Sequence, residues 1–154
     1  MAFRLGTKSL KILGEVHPDL QRVVNLAIQL TDTDFTVLEG LRSKTRQAQL
    51  VAAGSSKTMD GRHLTGHAVD LGAWIDNKVS WDWDHYYKIA TAMKRAAAQL
   101  NIPIVWGGVW DKSLVSLGDP RAAVASYVAS RKAMGRAAFI DGPHFELQRS
   151  EYPA

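Results

Sequence analysis

Two imidazoles and a carboxylate stand within eight residues in Gly61-Arg62-His63-Leu64-Thr65-Gly66-His67-Ala68-Val69-Asp70-Leu71. Histidine and aspartate are ligands for zinc, and three protein ligands leave a fourth position open for water. Helical spacing would place His63 and His67 on one face, but Gly66 interrupts the turn, and Ala68-Val69-Asp70-Leu71 reads as strand. In a strand beginning near His67, side chains alternate. Asp70 then shares a face with Ala68, and His67 points the other way with Val69. His63 and Asp70 are therefore the expected pair, with His67 a bystander.

A third ligand is offered by Asp141-Gly142-Pro143-His144-Phe145-Glu146, where Gly142-Pro143 sets a tight bend between an acid and an imidazole. A carboxylate there can take a proton from water and return it to a leaving amine. Asp141 is the first candidate for that base. Glu146, two residues beyond His144 on the same strand face, competes with it.

Composition limits the alternatives. The chain has 154 residues, no cysteine and five histidines, which excludes thiolate metal sites, disulfides and a thiol nucleophile. Its 19 Lys and Arg against 15 Asp and Glu give +4, a mild preference for anionic partners. The basic residues are scattered, which argues against nucleic acid. No segment reaches signal-peptide or membrane-span length, so no stable membrane association is expected.

The elements that must position these groups follow from pattern. Residues 1–14 read as an irregular arm. A helix is predicted from Pro18, a favoured first position, to Leu30. Phe35 to Glu39 forms a short strand, and Ser43 caps a helix reaching about Ala53. Ser55 to Arg62 is turn-like, His67 to Trp74 a strand, and Ile75 to Lys78 a turn. A long helix covers Asp82 to Leu100, with Tyr86, Ile89, Ala90, Met93, Ala97 and Leu100 inward. Ile102 to Trp106 is a strand, Asp119-Pro120 opens a helix to about Met134, and Pro143 to Leu147 is a last strand. Without βαβ repetition this is an α+β fold, a small, mostly antiparallel sheet packed with several helices. The five tryptophans are expected in the core or the cleft wall.

His63-x6-Asp70, Trp106-Gly107-Gly108 and Asp141-x-x-His144 resemble the M15 zinc peptidases, in the branch of phage endolysins that cleave the L-alanyl-D-glutamate bond of peptidoglycan stem peptides. The resemblance runs from about Glu39 to Leu147 and includes Gly40-Leu41-Arg42-Ser43, Gln47 and Gly54-Ser55-Ser56-Lys57-Thr58. It implies the architecture shared with D-Ala-D-Ala peptidases and hedgehog-like domains. It implies Zn2+ held by His63, Asp70 and His144, Asp141 as base, and Arg42 binding the substrate carbonyl or the oxyanion. Gly61 departs from the family's usual Ser and Val109 from the Asp of WGGDW, and residues 111–138 are long enough for a helical flap over the cleft. A D-Ala-D-Ala carboxypeptidase, or a zinc-containing module that only binds cell wall, are the alternatives. The resemblance further implies one catalytic domain over 1–154 without a separate wall-binding domain, a monomer made in the host cytoplasm, and holin-dependent access to the wall.

Overall fold

The computed structural model describes residues 3–54 and 61–153. Its helices are α1 (Thr7–Leu13), α2 (Pro18–Leu30), α3 (Lys44–Ala52), α4 (Trp83–Leu100) and α5 (Pro120–Ala133). Its strands are β1 (Phe35–Glu39), β2 (Ala68–Ile75), β3 (Lys78–Ser80), β4 (Ile104–Trp106) and β5 (His144–Leu147). The predicted elements form where local chemistry caps them. Ser43 accepts from the Arg46 amide at 3.1 Å, Asp82 from Asp84 at 3.0 Å and Asp119 from Ala122 at 3.0 Å. The family segment 55–58 lies outside the described residues.

Two elements correct the sequence reading. The arm expected over 1–14 contains helix α1, which is too short to persist in isolation. It forms because it caps the edge of the sheet: the Ser9 hydroxyl pairs with Thr36 Oγ1 at 2.6 Å and accepts the Val37 amide at 3.0 Å. Beyond β2, Asp76 and Asn77 both take positive φ, making the tight hairpin that brings β3 back against β2.

The sheet is antiparallel in the order β1-β2-β5-β4, with β3 also on β2. One face is the core. Val69, Leu71, Ala73, Phe145 and Leu147 are fully buried there with Leu20 and Val23 of α2 and Ile89 and Met93 of α4. The other face carries Asp70, Gly72 and Trp74 from β2, with His144 and Glu146 from β5. Asp70 and His144 are register partners, so β-pairing itself sets their side chains together. Opposite them, a bulge at Leu38 in β1 shifts the register and places Glu39 across from Asp70.

The long insertion does not stand apart as an independent element. Helix α5 packs on α4 through buried Val124 and Tyr127, the Arg121–Asp84 ion pair, and the Arg121 guanidinium 4.4 Å from the Tyr87 ring. Tryptophans divide: Trp106 is fully buried, whereas Trp81 and Trp74 are exposed. No helix among the described residues is long and apolar enough to cross a membrane.

Candidate metal centre

His63 sits in a single 3-10 turn, Arg62–Thr65, that delivers the chain into β2. Its Nδ1 lies 2.7 Å from the Gly40 carbonyl oxygen, and its Nε2 lies 3.2 Å from Asp70 Oδ1. His144, at the head of β5, has Nδ1 3.4 Å from the same Asp70 oxygen and Nε2 2.8 Å from Glu146 Oε1. Ligand atoms of His63, Asp70 and His144 all lie within 4.8 Å of one another. Both imidazoles are buried, and their rings are 5.2 Å apart at 72°.

The hydrogen bonds settle which nitrogen of each ring is available. A carbonyl oxygen only accepts, so His63 Nδ1 carries a proton and Nε2 is the nitrogen turned toward Asp70. Glu146 accepts a hydrogen bond from His144 Nε2 in the same way, turning Nδ1 toward Asp70. Two ring nitrogens thus face a carboxylate, an arrangement that requires protons or a cation between them. The donor set fits a metal: two imidazoles and one carboxylate converge, and each imidazole is held from behind by an acceptor.

The electrostatics of the cluster agree. Burial pulls the His144 imidazole down, but its bonds to Asp70 and Glu146 outweigh this and push it up to about 9. Burial raises the Asp70 carboxyl, yet the bonds from His144 and His63 hold it well below the usual carboxylate range. Arg42 adds a cation on the far side, with Nη2 3.5 Å from Asp70 Oδ2. Its guanidinium is fixed by Glu39 through bonds of 2.7 and 2.8 Å and by Gln47 Oε1 at 2.6 Å.

Asp141 reaches the same place from the loop before β5. Its amide donates to the Gly107 carbonyl at 2.9 Å, and its carbonyl accepts from His144 N at 3.1 Å. Burial raises its carboxyl, reinforced by the Asp70 charge and opposed by His144, His63 and Arg42. Asp141 is therefore a carboxyl held within electrostatic reach of every proposed ligand. Glu146 stands behind His144 and 3.9 Å from Arg62 Nε, which suits it to orient the imidazole. The sequence offered it only as a rival base, because nothing in the spacing reveals which ring nitrogen it faces. His67 bonds to Thr65 Oγ1 at 2.7 Å and lies against His17, apart from the cluster.

Trp110 closes one side, its ring 5.0 Å from His144 and its Nε1–H donating to Phe139 O at 2.7 Å. The two ends of the insertion thus meet at the site, while α5 itself lies on α4. Val109, in place of the family's Asp, is buried at 3 % exposure. Gly107 is the tightest point: a Cβ there would stand 2.1 Å from the Asp141 carbonyl oxygen. Gly107→Ala is expected to cost about 1–3 kcal/mol by overpacking and to displace Asp141, read as a lower denaturation midpoint together with lost turnover. An unchanged midpoint would contradict this packing.

The family model for phage L-alanyl-D-glutamate peptidase matches residues 1–148. The L-alanyl-D-glutamate peptidase of Escherichia phage T5 is 34% identical over 117 residues, covering 73% of this chain and 85% of that protein. The enzyme of the same name from Listeria phage A118 is 31% identical over 77 residues, 50% of this chain and 26% of that protein. Among solved structures, the L-Ala D-Glu endopeptidase ChiX of Serratia marcescens matches with a TM-score of 0.76 at 41% identity, covering 98% of this chain and 95% of that one.

Proposed function

We propose residue roles from the premise that this chain belongs to the phage L-alanyl-D-glutamate peptidase family. It is a peptidase that cleaves peptidoglycan, and the bond named by its relatives is the one between L-alanine and D-glutamate in the stem peptide. His63 Nε2, Asp70 and His144 Nδ1 hold a metal ion, which we take to be zinc because no thiolate is present and an imidazole-rich, three-ligand set suits it. When bound, zinc supplies Lewis-acid polarisation of a carbonyl and acidification of water.

The remaining work falls to the chain's own side chains. Asp141 takes the proton of the attacking water, the scissile C–N bond breaks, and Asp141 returns that proton to the departing D-glutamyl amine. Arg42 steadies Asp70 and offers positive charge where the carbonyl oxygen becomes negative. Glu146 and the Gly40 carbonyl fix the rings of His144 and His63, so the ligand nitrogens need no reorientation. The proposal extends to synthesis in the host cytoplasm, passage to the wall through a holin-type pore, and action as a monomer, supported by kinship with phage enzymes.

The observation that carries this reading is the convergence of three ligand atoms within 4.8 Å, with Asp141 in electrostatic reach. Mass spectrometry of muropeptides from digested sacculi tests it. New amino termini on D-glutamate are expected. Release of free D-alanine with no D-glutamyl amine would replace it by the carboxypeptidase reading.

A further inference from the structure

Arg62 precedes the proposed ligand His63 in the same 3-10 turn. Successive side chains of such a turn diverge by about a third of a revolution. His63 is aimed at Asp70, whereas Arg62 is aimed at β5 and the tail that follows it. The residue is only 3 % exposed, so its guanidinium is buried. Burying a cation is costly unless carboxylates or hydrogen-bond acceptors surround it. Here Nη2 donates to the carbonyl of Leu147 at 3.2 Å and to that of Tyr152, and Nε lies 3.9 Å from Glu146 Oε2, the distance of an ion pair.

Glu146 therefore uses its two oxygens on two partners. Oε1 faces His144 Nε2 at 2.8 Å, and Oε2 faces the guanidinium. A carboxylate held at one oxygen alone can rotate about its last bond and tilt the hydrogen bond it makes. Held at both, it is fixed. The guanidinium is a rigid plane, so the two carbonyls that fix Nη2 also fix the direction of Nε. One of those carbonyls belongs to Tyr152, beyond the residues 1–148 that the family model matches. Tyr152 is anchored in turn, its hydroxyl donating to Asp19 Oδ2 at 2.7 Å and its ring 5.2 Å from His17. Asp19 and His17 are tied together at the start of α2, where the Asp19 amide donates to His17 Nδ1 at 3.0 Å. A continuous line of contacts thus runs from α2 through Tyr152, Arg62 and Glu146 to His144.

We propose that Arg62 is a positioning residue: braced by the Tyr152 carbonyl, it fixes Glu146 and, through it, the ring of His144. The inference rests on the metal-centre reading above. Charge and position predict opposite effects of removing it. A cation close to a cation site repels a metal, so Coulomb's law alone has its removal tighten binding. Fixing the outer partner of a ligand works the other way, because a loose Glu146 lets the imidazole leave the orientation in which Nδ1 faces Asp70. A residue that merely fills space would weaken binding whether or not the Glu146 carboxylate is there to receive it.

Zinc affinity, measured by competition against a chromophoric chelator, separates the three. Arg62→Gln should bind zinc about tenfold more weakly than wild type, the lower end of the cost of losing an outer partner. In a Glu146→Gln background the same substitution should change affinity by less than about twofold, because the group it acts on is already gone. Tighter binding in Arg62→Gln, or an equal loss in both backgrounds, would overturn the positioning role. Tyr152→Phe removes only the hydroxyl on Asp19 and keeps the test open if Arg62→Gln does not fold. It should bind zinc about threefold more weakly, part of the weight of one hydrogen bond, and again only with Glu146 present. An unchanged affinity there would overturn the proposal. Affinities in this order with no D-glutamyl amine released from sacculi would leave Arg62 its role and sink the peptidase reading. Cleavage by the wild type, with zinc affinity unchanged in Arg62→Gln, would do the reverse.

Discussion

Replacing Asp141 by Asn lowers kcat on purified sacculi by about 10²–10⁴-fold, the range for losing a positioned general base, while zinc binding stays at one equivalent. The amide keeps the size of the side chain and leaves the backbone bonds to Gly107 and His144 in place, so the ligand loop is undisturbed. What is lost is a group that can carry a proton. Burial and the charge of Asp70 already raise this carboxyl, making it a better proton acceptor than an exposed aspartate. Because the base acts deprotonated, the wild-type rate should fall as pH drops through its pKa. The residual rate of the variant should lack that acid limb. Full activity in Asp141→Asn would move the role to another group. Glu146 is poorly placed to take it, since its carboxylate is already bonded to His144 Nε2 at 2.8 Å.

How far these groups were legible in the sequence depends on whether local or distant contacts fix them. Strand alternation alone separated Asp70 from His67, and the structure keeps them apart, with Asp70 in the cluster and His67 on Thr65. Helices that begin at Ser43, Asp82 and Asp119 were readable because a cap and its amide are neighbours in sequence. Helix α1 was not, since the bond that anchors it joins Ser9 to Thr36, 27 residues away. The same holds within the site. That Asp141 and His144 lie three apart is visible in sequence. That Gly40 and Glu146 decide which nitrogens of His63 and His144 face Asp70 is visible only once β1, β2 and β5 are aligned. Tryptophans were expected inside as bulk apolar mass. Trp74 is exposed because the alternation that aims Asp70 outward aims it outward too, four residues on.

His144→Ala is expected to abolish stoichiometric zinc binding, and with it the thermal stabilisation that zinc confers. A ligand at a thousand times its Kd stabilises the native state by about 4 kcal/mol, which for a chain of this size raises Tm on the order of 10 °C. Wild-type protein stripped by chelator should regain that increment with one equivalent of zinc, and His144→Ala should not. Two of the three proposed ligands, His63 and Asp70, remain in the variant, but Asp70 then lacks one of the two imidazoles that hold it ionised. Glu146→Gln separates ligation from orientation. It leaves all three proposed ligands and replaces the carboxylate behind His144 with a neutral amide, so zinc should bind 10–100-fold more weakly, the usual cost of a lost outer partner. Measured by competition against a chromophoric chelator, the order should be wild type, then Glu146→Gln, then His144→Ala. An unchanged affinity in His144→Ala would remove this imidazole from the ligand set. Equal affinity in Glu146→Gln would mean that the His144 ring is fixed by its neighbours, with Trp110 5.0 Å from it as the obvious support.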